Sequence, residues 1–393
     1  MEKNQEQSPK LKYFYETFLP ILIENAEKFG WPPNLKQEDI EPRELDGTSN
    51  MTYRVKCLAP GDHPVILAKR FGEGVLRKLI DRRVDNKVCT SFGELGLGPK
   101  VLWCDDNQRI EEFVQADTFT LQDMNDKTQR RRLAYYVQKM HRVAPEGLNT
   151  DPMFTRCLDD TFPLIKLFHE SFDQKKEQGI LSEEEIRKIE YIKELISDSE
   201  LEWIKENHPK SKNVLSHNDF LNGNILKLEG NRVKLIDFEY ATYNPRAFDL
   251  ANFLTEALFD YDVKEHPFFK FNWDQREEPD QFKDLVMFYL LFSSFKEDCG
   301  IEKAFVLVED LDAAQKQLLE NLGGDQTKVD AELDSLMSEI WICTLLSQFL
   351  WAVWSVIMCK DPKIEYGYID LGYQRAIDYK RIKAKYFTND ETA

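Results

Sequence analysis

None of the seven cysteines stands in a C-x-x-C pair or at a regular spacing. Their odd number and scatter argue for reduced thiols and against a disulfide framework. Basic excess is missing too: 52 Lys and Arg face 70 Asp and Glu, for a formal charge of -18 and a pI near 5.0. That balance disfavours nucleic acid and anionic membrane surfaces as partners. It serves solubility first, and it tolerates a cationic substrate. The opening "MEKNQEQSPK" has no apolar signal core and no arginine-rich transit pattern. A cytoplasmic protein is the expectation. Internal repeats and low-complexity tracts are absent.

Long apolar runs are scarce. Ile340 to Cys359 is free of charge and about long enough to cross a bilayer. Thr344, Ser347 and Gln348 interrupt it, and Glu339 and Lys360-Asp361 flank it without a positive bias. A helix buried in a large lobe has the same look; the interruptions and flanks weigh against a membrane span, and a membrane-anchored protein is the rival reading of this run.

What is present suffices for a large core: 393 residues, 42% hydrophobic, which suggests two lobes. Residues 11–30 carry a helical apolar pattern with a break expected at Pro20. "DGTSNMTYRVKC" reads as a turn entering a strand, and "HPVILAKRF" as a second strand. Asp81 to Leu95 reads as a helix closed by "GLGPK". "VLWCDDNQRIEEFV" reads as two strands around Asp105-Asp106-Asn107. A strand-rich lobe over 1–114 thus precedes a mainly helical one over 115–393. In the second, Thr128 to Val143 and Ser182 to Glu206 read as helices. Ser182 is the N-cap of the latter, with Glu185 completing a capping box. "DQREEPDQFKD" and "GGDQTKVDAELD" read as surface insertions.

Between Ser216 and Ala241 lies "SHNDFLNGNILKLEGNRVKLIDFEYA", with two aspartates, four asparagines and a histidine among short apolar runs. The apolar runs read as small buried strands, so the polar residues sit at strand ends on a rigid frame. Phosphoryl transfer needs a carboxylate near the attacking hydroxyl, oxygen ligands for magnesium, and cations on the phosphates. Asp219 can take the proton. Asn224 and Asp237 offer hard oxygens, and magnesium keeps waters for its remaining positions. Each residue alone would be an ordinary turn residue; the joint pattern H-N-D-x-x-x-x-N followed by I-D-F-E is what is specific.

This pattern resembles the protein-kinase-like small-molecule kinases, and above all the choline/ethanolamine kinases, over nearly the whole chain. "DGTSNMTYRV" resembles that family's nucleotide loop, "VILAKRFGEG" its second core strand, and "GLGPKVLW" and "EEFVQ" the strands leading to the adenine hinge. "NPRAFDLANFLTEALFDY" and "WAVWSVIM…YGYIDLGYQRAIDY" resemble the segments that form its amino-alcohol pocket. The resemblance implies an α+β, two-lobed protein-kinase-like fold, a β-rich N-terminal lobe and a helical C-terminal lobe. It implies ATP and Mg2+ as cofactors, and choline as substrate with ethanolamine as the alternative. It allows a homodimer. A kinase-shaped binding module without catalysis is the rival reading, disfavoured by intact Asp219, Asn224 and Asp237.

By the same resemblance Asp219 is the base and His217 braces its loop. Asn224, Asp237 and Glu239 face the metal. Ser49 and Asn50 cover the phosphates, and Glu112 and Val114 lie at the adenine hinge. Lys69 stands where the family usually has arginine, and Asp85 where it usually has the glutamate that holds that cation. Asp249 is expected to anchor the catalytic loop. Trp351 and Trp354, spaced i, i+3, share a helix face and with Tyr368 would hold a quaternary ammonium by cation–π attraction. Tyr240, Glu256 and Tyr261 match further positions at the alcohol, with Glu256 balancing its charge.

Overall fold

The computed structural model describes residues 9–45, 50–72, 74–276, 280–360 and 365–387. The chain forms two compact units, 1–117 with 234–239, and 118–233 with 240–393. The short segment 234–239 returns to the first unit, which a cut at residue 114 does not capture.

In the first unit five antiparallel strands are ordered β1-β2-β3-β5-β4. They are β1 Ile40–Leu45, β2 Asn50–Cys57, β3 Ile66–Phe71, β4 Val101–Cys104 and β5 Gln108–Glu112. Alternation sets the buried face: Tyr53 and Val55 of β2, Ile66 and Ala68 of β3, and Ile110 of β5 are all fully buried. Against them lies the helix Pro9–Glu24, whose Phe14, Phe18 and Leu22 fall on one face and join the same core. Each such side chain contributes about 1.5–3 kcal/mol by burial. The break expected at Pro20 does not occur; the helix runs on to Glu24. Pro20 and Glu16 are both exposed, so water can take the carbonyl that a proline leaves without a donor.

The helix Arg82–Glu94 starts where expected, with Asp81 capping the Arg83 N–H at 3.0 Å. Its end is tight. A Cβ on Gly93 would come within 2.6 Å of the Pro99 carbonyl, so only glycine lets the "GLGPK" turn fold back against the helix.

The second unit is helical. Its centre is the helix Gln326–Met358, packed along the C-terminal helix Tyr368–Phe387 and crossed by Phe248–Glu256. The most apolar window of the long helix is 83% buried in the protein, so the charge-free run is a core helix. The expectation of an insertion at "GGDQTKVDAELD" is corrected. Asp325 caps the Thr327 N–H at 3.0 Å, and everything from Gln326 onward is the polar first third of that helix. Of "DQREEPDQFKD", residues 277–279 lie outside the described residues, and a helix over Asp280–Ser294 follows. The tract Ser182 to Glu206 is two helices, Glu183–Lys193 and Asp198–Asn207, joined by a 3-10 turn at Glu194–Ile196. Leu195 and Ile196 are buried in that turn, a tertiary demand that a helical period does not reveal. The Ser182–Glu185 capping box forms as expected.

Candidate active site

The H-N-D loop follows a two-stranded antiparallel ribbon in the second unit, Asn213–Ser216 against Thr242–Pro245. Asn218 adopts φ 67°, a conformation costly for a non-glycine residue unless its surroundings fix it. They do. The backbone N–H groups of His217 and Asn218 donate to the two oxygens of Asp249, at 2.8 and 2.9 Å. The Asn218 amide donates to the Tyr240 carbonyl at 2.8 Å and accepts from Asn244 at 2.7 Å. His141 Nε2 lies 3.0 Å from the same Asp249 carboxylate, and its Nδ1 lies 2.9 Å from the Tyr289 hydroxyl. Asp249 is fully buried and anchors the loop. His217 is also fully buried, with its ring 5.9 Å from Phe220.

Asp219 is half-buried. Asn224 donates its amide N–H to the Asp219 carbonyl at 2.9 Å and to Oδ2 at 3.0 Å. With its nitrogen committed to Asp219, the amide oxygen of Asn224 is the end suited to a cation.

In the first unit Asp237 also takes a positive φ, 64°. Its Oδ1 accepts from Lys69 at 2.9 Å. Burial pushes the Asp237 carboxyl up, but the Lys69 ammonium outweighs it and the net shift is downward. Burial likewise pulls Lys69 down, and Asp237, with Glu111 and Glu239, carries it above the usual lysine range. Both groups are ionised at neutral pH. Glu239 is raised, first by burial and then by the like charge of Asp237.

The expected Lys69–Asp85 pairing does not form. Asp85 is 2% exposed and gives one oxygen to Arg109 at 3.0 Å and the other to Arg82 at 3.0 Å. Burial raises the Asp85 carboxyl, and the two guanidinium groups more than reverse that. The physical reason is competition: two buried forks flank a short acidic arm, and guanidinium matches carboxylate geometry better than ammonium does. Arg82 also reaches Glu239 at 3.1 Å and Asn50 Oδ1 at 3.5 Å. Asn50 donates to Glu239 at 3.3 Å and accepts from the Gly72 N–H at 3.1 Å. Arg82 escaped the sequence reading; its only signal was the i, i+3 spacing to Asp85.

Glu112 holds Lys234 at 2.7 Å and the Lys100 N–H at 3.2 Å. Burial raises its carboxyl, and those two partners reverse the shift. Val114 is half-buried just beyond β5. Ser49 lies outside the described residues.

In the second unit four of the expected aromatic residues come together. Ring centroids of Tyr240 and Trp351 are 5.3 Å apart, Trp351 and Trp354 5.4 Å, and Trp354 and Tyr368 5.6 Å, all edge to face. Tyr366 adds a fifth ring, 4.8 Å from Tyr368. Trp354 donates to the Tyr240 hydroxyl at 2.8 Å, and Trp351 to Asn252 Oδ1 at 3.0 Å. Asn252 went unread in the sequence. It also accepts from Ser347 at 2.7 Å and donates to the Phe220 carbonyl at 3.4 Å, linking the H-N-D loop to the aromatic helix.

Glu256 is paired within the second unit. Its two oxygens are taken by Arg375 at 2.7 Å and by the Tyr261 hydroxyl at 2.7 Å. Arg375 Nη2 also lies 3.1 Å from the Tyr261 oxygen. Glu256 is 2% and Arg375 3% exposed. Burial and then Glu256 push the Tyr261 hydroxyl well up, so it stays neutral. The Glu256–Arg375 pair supports the wall of aromatic residues.

Magnesium was expected at Asn224, Asp237 and Glu239. Among the described residues no three His, Cys, Asp or Glu side chains converge as a ready ligand cluster. Taken unit by unit, the ionised Asp237 carboxylate of the first and the Asn224 amide oxygen of the second are each hard donors of the kind magnesium takes.

A small antiparallel sheet, a following helical unit, an H-N-D loop held by a buried aspartate and a D-F-E strand end define a class: phosphotransferases of the protein-kinase-like fold. The family model for choline/ethanolamine kinase matches residues 43–380. The chain is 26% identical to mouse choline kinase alpha, over 75% of this chain and 59% of that protein. It is 23% identical to human choline/ethanolamine kinase, over 86% and 80%. In structure it is similar to a choline kinase from Cryptosporidium parvum, with TM-score 0.64, 20% identity and 94% and 95% of the two chains covered. A Plasmodium vivax ethanolamine kinase gives TM-score 0.60, 18% identity and 95% and 89% coverage. The chain belongs to the choline/ethanolamine kinase family.

Proposed function

We propose that this protein transfers the γ-phosphoryl group of ATP to the hydroxyl of choline, giving phosphocholine and ADP, the entry step to phosphatidylcholine. The observation that carries the choice of alcohol is the joined set Tyr240, Trp351, Trp354 and Tyr368, beside a Glu256 already neutralised by Arg375. A trimethylammonium group donates no N–H bond and is held by apolar contact and cation–π attraction, about 0.5–2 kcal/mol per ring. The compact ammonium of ethanolamine needs acceptors once desolvated, and the carboxylate nearest to hand is committed.

In the reaction the choline hydroxyl gives its proton to Asp219 as its oxygen bonds to the γ-phosphorus and the bond to the β-bridging oxygen breaks. Asn224 orients the Asp219 carboxylate through its amide N–H. Lys69, ionised and buried, offers charge to the phosphates, and Asn50 begins the strand that follows the nucleotide loop. Asp237 and the Asn224 oxygen are the groups that would hold Mg2+, which when bound neutralises charge developing on the phosphates. The cytoplasm is the compartment consistent with seven free thiols.

The test is a coupled ADP-release assay with choline, ethanolamine and an aminoglycoside. We expect a higher kcat/KM for choline than for ethanolamine and no turnover of the aminoglycoside. Better turnover of ethanolamine overturns the choice of alcohol, and turnover of neither amine overturns the reading as a whole.

A further inference from the structure

Arg82 stands at a junction of four segments of the first unit. Its Nη1 reaches both Asp85 on its own helix and Glu239, two residues beyond Asp237 in the segment after the strand Val233–Leu235, at 3.0 and 3.1 Å. Its Nη2 reaches Asn50, the first residue of β2, at 3.5 Å. Its guanidinium carbon sits 4.3 Å from the ring centroid of Phe71, at the end of β3. The side chain is only 7% exposed. Asn50 closes the circuit, donating to Glu239 and accepting from Gly72.

The charges explain why the position needs a guanidinium. Asp85, Glu111, Asp237 and Glu239 are four carboxylates, and Lys69, Arg82 and Arg109 are the three cations paired with them. Lys69 is occupied by Asp237 and Arg109 by Asp85 and Glu111. Arg82 is the cation among these that pairs with Glu239. A lysine there would keep the charge, but one ammonium on a flexible stem cannot hold a planar fork against an aromatic ring while meeting three partners.

We infer that Arg82 is a positioning residue for the nucleotide: it fixes Asn50, the first residue of β2, against Glu239, two residues beyond Asp237, and so holds the nucleotide-facing side of this unit in place. The inference rests on the reading of this unit as the ATP-binding one. It assigns Arg82 no contact with a reacting atom. Its loss should therefore weaken the nucleotide and spare the alcohol and the chemistry at saturation.

The experiment measures Mg·ATP affinity by titration calorimetry, without amino alcohol, alongside steady-state constants, for wild type, Arg82→Met, Arg82→Lys, Asn50→Ala and Arg82→Lys/Asn50→Ala. We expect Arg82→Met to raise the ATP Kd and KM about tenfold or more, to change kcat by less than threefold, and to leave the KM for choline within twofold. Arg82→Lys should recover part of the affinity. Asn50→Ala should weaken ATP similarly, and the double variant should be no worse than the poorer single one, because both act through one contact. An unchanged ATP Kd in folded Arg82→Met overturns the inference. So does a loss confined to kcat. If Arg82→Met does not fold, the lysine and alanine variants decide: unchanged affinity in both, or fully additive losses, overturns it. Because Kd is read without turnover, failure of the amino-alcohol assignment would leave wild-type ATP binding and this comparison intact.

Discussion

At the residue scale the proposed site depends on what each carboxylate touches. Asp219 has the Asn224 amide on one oxygen, and Asp219→Asn keeps the shape while removing the proton acceptor. Turnover should fall by orders of magnitude with ATP affinity nearly unchanged; near-normal turnover would remove Asp219 from the role of base. The Glu256–Arg375 pair makes a separate prediction about stability. Removing one partner of a buried pair leaves an uncompensated charge and costs about 3–5 kcal/mol, whereas replacing both is far milder. Arg375→Met should therefore lower the unfolding midpoint strongly, and Glu256→Gln/Arg375→Met should regain most of the loss in a denaturant melt. Additive losses in the double variant would show that the two residues do not act as a pair.

At the scale of elements, the helix Gln326–Met358 serves as core and, in the function proposed above, also as pocket wall. Cys343, Ala352, Val353 and Val356 are fully buried, while Trp354 remains half-buried and is held by Tyr240. The two roles separate by mutation. Trp354→Ala should raise the KM for choline several-fold with little change in the KM for ATP, since its ring contacts are to Trp351 and Tyr368. An unchanged KM for choline would make Trp354 a packing residue like its buried neighbours. The same helix explains why hydropathy alone misleads: a run of apolar residues flanked by polar turns looks alike in lipid and in a helical core. Packing of the C-terminal helix and of Phe248–Glu256 against it is what decides.

For the whole molecule, each unit has its own means of stability. The first has an aromatic and aliphatic core of Phe14, Phe18, Tyr53, Val55, Ile66 and Ile110; the second has stacked helices. Chains built this way commonly depart from two-state unfolding. We expect a calorimetric enthalpy larger than the van't Hoff enthalpy, with Mg·ATP raising the transition of the unit that binds it. One transition with equal enthalpies would show that the units unfold together.

The sequence by itself determined the H-N-D and D-F-E pattern, the strand-rich to helical order of the chain, the Ser182 cap and the aromatic face at Trp351 and Trp354. Each of these is written in local spacing, where a period of two, a period of 3.6 or a cap pairs neighbours along the chain. Tertiary structure alone decided which charges meet. Lys69 and Asp237 are joined across distant segments, as are Arg82 and Glu239, and Glu256 and Arg375. Sequence reading paired Lys69 with Asp85 because it could count charges but not rank the competitors for them. That ranking depends on burial and on guanidinium geometry, which exist only once the chain has folded.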